Sequence, residues 1–222
     1  MANDYPLNRR GFLRGAVVAG MGLAISSTGS TLSSMAQPTP SNVKPMEELF
    51  ADDGAITNSK LPLLLYRQAL TADGQDAGTT ERLADAIEKR FASNNWTGSW
   101  RAAVYTFHHY HSLSHEVLGV YRGSATLQLG GEKGRKFEVK PGDIIVIPAG
   151  VGHKRLESSA DFNVVGAYRN GRRWDLLRGN PGERPQADQN IAAVPLPEGD
   201  PLYGKTGPLM KIWSEAVGKK AS

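Results

Sequence analysis

The histidines of this sequence are concentrated in one short region. All five lie within a 46-residue window, and four of them fall in the segment "HHYHSLSH" (108–115). Side chains alternate across an extended strand, so His109 and His111 point to one face, together with Tyr105 and Phe107. We expect that face to be aromatic and to point inward. Two buried, unpaired imidazoles would be costly, and a metal ion would satisfy both, because neutral imidazole is the commonest metal ligand.

Two further residues can complete a metal site. Glu116 follows His111 by five residues, enough for a tight bend that returns the chain to the same place, and His153 follows the turn "PAGVG". Three imidazole nitrogens and one carboxylate oxygen suit Fe, Mn, Ni, Cu or Zn. The sequence therefore predicts one divalent metal ion, bound by His109, His111, Glu116 and His153. The alternative is a set of hydrogen-bonded core and surface histidines without an ion.

Three other polar residues lie close to these positions in the sequence. His108 and His115 have the opposite parity, which favours a place at the surface or around the ligands over direct metal binding. Of the two, His115 is the better candidate for direct metal binding, because a bend in the chain would break the alternation. Arg155 shares a strand face with His153, and it either reaches the pocket as an anion clamp or stays solvated at the rim.

The same residues carry a family resemblance. His109-Tyr110-His111, four residues, Glu116, six residues and a glycine resemble the first motif of the cupin superfamily. A glycine, five residues, Pro-Ala-Gly, two residues and His153 resemble its second motif. The resemblance implies an all-β fold, namely a small antiparallel cupin β-barrel (a double-stranded β-helix), and it implies the same four metal ligands.

The match departs from the motifs only at their edges. Ala103 stands where the first motif usually begins with Gly, and Glu157 stands where the second usually ends in Asn; neither is a ligand position. More narrowly, "HHYHS", "HEVLGVYRG", "IPAGVGHK" and "ERPQADQNIAAVPLPEGDPLYG" resemble the YjlB-like single-domain bacterial cupins. That narrower resemblance extends over most of the chain that follows residue 36.

The rest of the sequence indicates which elements position these residues. The segment 79–96 has Leu83, Ile87 and Phe91 at four-residue spacing and predicts one amphipathic helix, so we expect a helical N-terminal extension before the barrel. A Pro-rich C-terminal tail follows residue 170, and "PLMKIWSEAVG" predicts a short closing helix. Between them, alternation and turn residues predict short strands. They are 101–111, 116–121, 124–129, 136–140, 144–148 and 162–168, with a further buried strand in "LPLLLYRQA" (61–69).

The N-terminus predicts export. "NRRGFLRGAVVAGMGLAIS" resembles a twin-arginine signal, with Asn8 where Ser or Thr is commoner, and "SMAQ" offers a cleavage site after Ala36. Its apolar stretch is too short to span a bilayer, so we expect no stable membrane anchor. The predicted organisation is a signal peptide at 1–36, a linker at 37–46 and a cupin domain at 47–222, with its barrel core at about 97–170. The expected location is the periplasm.

Composition excludes several classes of function. The net charge is +4 without any basic run, which argues against nucleic-acid binding, and the absence of cysteine excludes disulfides and thiolate ligands. We therefore expect a metal-binding monocupin. It is either an enzyme of the oxygenase, isomerase or decarboxylase type acting on a small oxygen-bearing substrate, or a non-catalytic cupin that binds a small ligand or sequesters metal. Cupin barrels commonly pair through edge strands, so we expect a homodimer.

Overall fold

The fold of the domain was obtained from a computed structural model, which describes residues 42–71 and 77–218. The signal peptide predicted at 1–36, and residues 37–41 of the linker predicted at 37–46, lie outside the described residues. The described strands are β1 (Met46–Glu48), β2 (Leu63–Tyr66), β3 (Trp96–Ala102), β4 (Glu116–Arg122), β5 (Ala125–Leu129), β6 (Arg135–Val139), β7 (Ile144–Ile147), β8 (His153–Ser158) and β9 (Asn163–Arg169). The helices are α1 (Ala77–Ser93), α2 (Gln186–Ala193) and α3 (Pro208–Gly218).

The strands form two antiparallel sheets. The larger has the order β1-β2-β7-β4-β9-β3, and the smaller has the order β6-β5-β8. Apolar residues from both sheets share one buried cluster, so the sheets pack face to face. This arrangement of antiparallel sheets agrees with the expected cupin fold.

Strand β4 shows how the sequence divides the core. Leu118 and Val120 face the cluster between the sheets, whereas Val117 and Tyr121 face a second cluster that contains residues of α1 and α3. At Gly119, α1 approaches so closely that a Cβ atom would lie 2.7 Å from Cγ2 of Ile87. By the same alternation, Glu116 points to the interior between the sheets.

Both predicted helices are present, and the structure contains one further helix that the sequence did not predict. Helix α1 lies on the segment predicted to be an amphipathic helix, and the short helix predicted at the C-terminal end is confirmed as α3. Helix α2 was not predicted, because its segment has the Pro-rich composition of a tail. The tail packs on its own domain. Gly199 accepts a hydrogen bond from the Trp96 indole (3.0 Å), and Asn190 donates one to Ser112 (3.0 Å).

The predicted strand 101–111 is wrong over most of its length. Strand β3 ends at Ala102, opposite Val164, because its partner β9 begins one residue before Val164 and offers no further ladder. Beyond that point, His109 and Tyr110 form only isolated bridges, to His153 and Leu177. Strand β8 is absent from the predicted strands, although the sequence placed His153 and Arg155 on one strand face. Among the described residues, no helix has the length and apolarity needed to cross a bilayer.

Candidate metal centre

Two of the predicted ligands are held side by side by the backbone. His109 donates its N–H to the carbonyl of His153 (3.1 Å), and His153 returns the bond to His109 (2.9 Å). Opposed residues that exchange both bonds present their side chains to the same face. Their imidazole centroids are 4.0 Å apart. On β5, Leu129 is the partner of His153 and belongs to the cluster between the sheets, so the pair points inward.

His111 and Glu116 join this pair from a neighbouring turn and strand. The carbonyl of His111 accepts the N–H of Gly150 (2.9 Å), which ties the two motif segments together. At the first position of β4, Glu116 brings Oε2 to 3.5 Å from Nε2 of His111 and 3.2 Å from Nε2 of His153. The three imidazoles each offer a nitrogen within 4.8 Å of the others, and all four residues are buried.

The hydrogen bonds of the three imidazoles determine which nitrogen faces the centre. Nδ1 of His109 faces the carbonyl of Phe107 (3.3 Å), Nδ1 of His153 faces the carbonyl of Val151 (3.1 Å), and Nδ1 of His111 faces the carbonyl of Asp175. A carbonyl can only accept, so each Nδ1 carries the hydrogen. In neutral imidazoles, the lone pairs on Nε2 are then free to bind an ion, as is usual for histidine ligands of metals.

The charges at the centre favour a cation beside Glu116. Burial lowers the pKa of His109 to about 2, so that this imidazole is neutral. Burial also opposes charge on His111, but the Glu116 carboxylate outweighs it and raises the pKa of His111. Burial would raise the pKa of Glu116, yet His111 and His153 hold it well below its usual range. Glu116 Oε2 is buried without a hydrogen-bond partner among the described residues.

Tyr168 is a residue of the site that sequence reasoning missed. It is the partner of Glu116 on β9, its ring lies 5.7 Å from that of His111 at 85°, and its hydroxyl accepts a bond from the Trp100 indole (3.2 Å). Burial, followed by the charge on Glu116, raises the pKa of Tyr168. Tyr168 comes close to Glu116 because β9 pairs with β4, and no local sequence pattern shows that pairing.

Asp175 was also missed, and it fixes the turn after His111. Its carboxylate accepts the N–H of Ser112 (2.7 Å), the hydroxyl of Ser112 (2.6 Å) and the N–H of Leu113 (3.2 Å). Its own carbonyl is the acceptor for Nδ1 of His111. Asp175 follows the last strand, in a segment that has the composition of the tail, so no local pattern identifies it.

The remaining polar residues near the site are engaged elsewhere. His108 faces Glu132, with Nε2 3.4 Å from Oε1, and His115 accepts the N–H of Ala149 on Nδ1 (2.9 Å). Arg155 donates from Nε to the carbonyl of Val104 (3.1 Å) and from a terminal nitrogen to Ser158 (2.6 Å). The three-imidazole cluster contains neither His108 nor His115. Arg155 is therefore held between Ser158 of β8 and the segment that follows β3.

The expectation of an inward aromatic face is only partly correct. Tyr105 and Phe107 do lie on the side of His109, in ring contact with it at centroid distances of 5.0 and 5.9 Å. Tyr105, however, is 48% exposed. Because the chain leaves the sheet after β3, Tyr105 lies at the rim, although Val104 beside it remains buried in the cluster between the sheets.

Comparisons with known proteins agree with the two sequence motifs. The cupin domain family (Cupin_2) matches residues 102–159. "Uncharacterized protein YjlB" of Bacillus subtilis (strain 168) is 46% identical over 165 residues, which is 74% of this chain and 93% of that protein.

Solved structures show weaker likenesses. A duf861 family protein from Thermotoga maritima is 22% identical, with a TM-score of 0.26, over 35% of this chain and 83% of that one. Vicilin from tomato is 15% identical, with a TM-score of 0.31, over 52% of this chain and 29% of that one. Procruciferin from Brassica napus is 21% identical, with a TM-score of 0.29, over 35% of this chain and 21% of that one. The chain thus spans less than a third of either seed protein.

The match to the Bacillus protein extends over nearly all of that protein, and the cupin family model spans both histidine motifs, so the chain belongs to the cupin superfamily, in the same family as YjlB.

Proposed function

We propose that this protein is a metal-binding cupin that holds one divalent metal ion on His109, His111, Glu116 and His153 and binds a small oxygen-bearing ligand there. One observation carries the proposal. Two imidazole Nε2 atoms, whose rings carry their hydrogen on Nδ1, meet a buried carboxylate oxygen at 3.2 and 3.5 Å. These atoms converge on one buried point, and a cation there satisfies the carboxylate while both imidazoles stay neutral.

The donor set also fits such an ion chemically. Three imidazole nitrogens with one carboxylate suit Fe, Mn, Ni, Cu or Zn, and a six-coordinate ion would keep about two positions for the ligand. When bound, a divalent metal would polarise a carboxylate or carbonyl oxygen of that ligand. The carbonyls of Phe107, Val151 and Asp175 orient the three imidazoles through Nδ1. Glu116 supplies the single negative charge among the four proposed ligands.

Turnover of the ligand is the second candidate function, and Tyr168 is the observation that favours it. Its ring contacts that of His111, and strand pairing with Glu116 places its hydroxyl on the side of the centre. The raised pKa of Tyr168 keeps the proton on this hydroxyl at neutral pH. Tyr168 is therefore a neutral hydroxyl in the resting protein, and proton transfer at the centre would require Glu116 to take part. An oxygenase, isomerase or decarboxylase reaction would be of this second kind.

The metal content of purified variants tests the proposal. His111 and His153 come from different motifs, so only the folded chain brings them together. Replacing either with Ala should remove most of the metal measured by mass spectrometry, and the chelator-dependent fall in melting temperature should disappear with it. His108→Ala is the matched control and should keep parental metal content. A parent protein without metal, or a His111→Ala variant with full occupancy, would overturn the proposal.

We also propose that the protein is exported to the periplasm by the twin-arginine route and cleaved before Gln37. The support is the arginine pair, the short apolar stretch and the "SMAQ" segment. Replacing Arg9 and Arg10 with Lys should prevent accumulation of the mature form in the periplasmic fraction. An untrimmed leader that remains in the membrane and does not respond to this change would contradict export.

For assembly we propose a homodimer formed through a sheet edge. The larger sheet ends in β1 on one side and β3 on the other, and edge strands are the usual places for pairing between chains. Light scattering over a wide concentration range should give twice the monomer mass. A monomer at every concentration would refute the proposal.

A further inference from the structure

Two pairs of stacked aromatic rings lie beside the proposed metal centre. Tyr105 stacks on Phe107 with centroids 4.9 Å apart, and Tyr168 stacks on Trp174 with centroids 5.5 Å apart; both pairs are within 19° of parallel. The outer ring of each pair is open to solvent, since Tyr105 is 48% exposed and Trp174 is 42% exposed. Large exposed rings held in fixed stacks provide a preformed apolar surface for a ligand.

Each stack touches one of the imidazoles edge to face. The Tyr105 ring is 5.0 Å from that of His109 at 85°, and the Trp174 ring is 5.3 Å from that of His111 at 66°. The exposed rings are therefore in direct contact with two of the proposed metal ligands, one imidazole away from the proposed centre. A planar molecule with one oxygen directed at the centre would meet these rings with its body.

A positive charge lies beside one of these stacks. The guanidinium of Arg178 is 4.1 Å from the centroid of Phe107 and, within residues 42–71 and 77–218, forms no ion pair. The carboxylate of the nearby Glu183 instead accepts the backbone N–H of Arg178 (2.9 Å) and the Tyr110 hydroxyl (2.9 Å). A divalent ion with the single carboxylate of Glu116 leaves a charge of +1 at the centre. The site and Arg178 together favour an anion.

We propose that the ligand is a small aromatic carboxylate with a second oxygen substituent. Its ring lies against Tyr105 and Trp174, its substituent oxygen points to the metal, and its carboxylate binds Arg178. This inference rests on the proposed metal-binding function. It goes further by naming the ligand class and the residues that select it, none of which is a proposed metal ligand.

Three probes of similar size separate the contribution of the negative charge from that of ring stacking. They are 4-hydroxybenzoate, its neutral analogue 4-hydroxybenzamide, and the non-aromatic anion trans-4-hydroxycyclohexanecarboxylate. Titration calorimetry on the full-length, zinc-loaded protein should show 4-hydroxybenzoate binding about tenfold more tightly than either of the others, since one lacks the charge and the other the stacking. Quenching of tryptophan fluorescence should accompany binding of the aromatic probes, because Trp174 is in the contact.

Variants assign the contacts to residues. Trp174→Leu and Tyr105→Leu should weaken 4-hydroxybenzoate and leave the cyclohexane acid unchanged. Arg178→Gln should weaken 4-hydroxybenzoate and leave the amide unchanged, while Arg178→Lys should restore part of the difference. Arg173→Gln is the matched control, because it removes another exposed arginine from the same segment and should have no effect.

Zinc content is measured first on every sample. It shows whether a negative result contradicts the metal-binding function or only the ligand class. A parent protein that takes up no zinc contradicts the metal-binding function, and this inference falls with it. Zinc at one equivalent together with equal affinity for all three probes overturns the ligand class alone. The ligand class is also overturned if the Trp174 and Tyr105 variants both bind 4-hydroxybenzoate as the parent does.

Discussion

Removing the Asp175 carboxylate should both destabilise the domain and weaken metal binding at the proposed centre. In the structure this carboxylate accepts three hydrogen bonds from Ser112 and Leu113, and Ser112 is fully buried. After Asp175→Ala, the buried N–H of Ser112 has no acceptor, whereas its hydroxyl can rotate towards another one. The N–H of Leu113 is half-buried and can be hydrated.

These contacts set the expected magnitude. An unsatisfied buried donor costs about 1–3 kcal/mol, so roughly 2 for the Ser112 amide and about 1 for its hydroxyl give a loss of about 3 kcal/mol. In a domain of this size each kcal/mol lowers the melting temperature by about 2–4 °C, which predicts a fall of roughly 6–12 °C. The carbonyl that orients His111 is retained, but its position is no longer fixed. Loss of such a supporting contact typically weakens metal binding by about 10- to 100-fold.

The assay has two readings and two comparison variants. Thermal unfolding in the presence of chelator measures the loss of stability, and competition with a chromogenic chelator measures zinc affinity. Asp175→Asn should be intermediate, because its amide oxygen can still accept backbone N–H groups but its NH₂ cannot accept the Ser112 hydroxyl. Asp161→Ala, which removes an exposed carboxylate, should behave as the parent. If Asp175→Ala matches Asp161→Ala in both readings, the supporting role of Asp175 is refuted.

Three other changes test the packing and electrostatics of the domain. Tyr66→Phe removes a hydroxyl that donates to the buried carboxylate of Asp200 (2.5 Å) and should cost about 1.5–3 kcal/mol in urea unfolding; a parental midpoint would contradict this. Gly166→Ala places a Cβ 2.2 Å from the Trp100 ring and should cost about 1–3 kcal/mol with a shifted tryptophan emission, whereas unchanged melting would show that the ring moves freely. The pKa of Glu183 is held low, because backbone N–H groups and a tyrosine hydroxyl outweigh the opposing effect of burial. Its contribution is therefore present above the ordinary pKa of about 4.3 and is lost as the pH falls through the folded value, so the melting temperatures of the parent and Glu183→Gln should converge in acid; a constant difference would contradict the assignment.

The sequence by itself determined the chemistry that is available. The residue types and the spacing of His109, His111, Glu116 and His153 predicted a shared site, and the structure brings the three imidazoles within 4.8 Å of one another, with Glu116 beside two of them. Local periodicity was sufficient for α1 and α3, because an amphipathic helix carries its pattern within its own residues. Alternation likewise placed His108 on the side away from the cluster.

The tertiary structure alone decided what surrounds those residues. Whether residues 103–108 continue β3 depends on the extent of β9, some 60 residues away, and the loss of that partner is what exposes Tyr105. Tyr168 reaches Glu116 only through strand pairing, and Asp175 reaches the turn after His111 only through the path of the tail. Hydrogen bonds and ring contacts between distant segments follow from how the sheets pair and pack. No periodicity in a single segment encodes them.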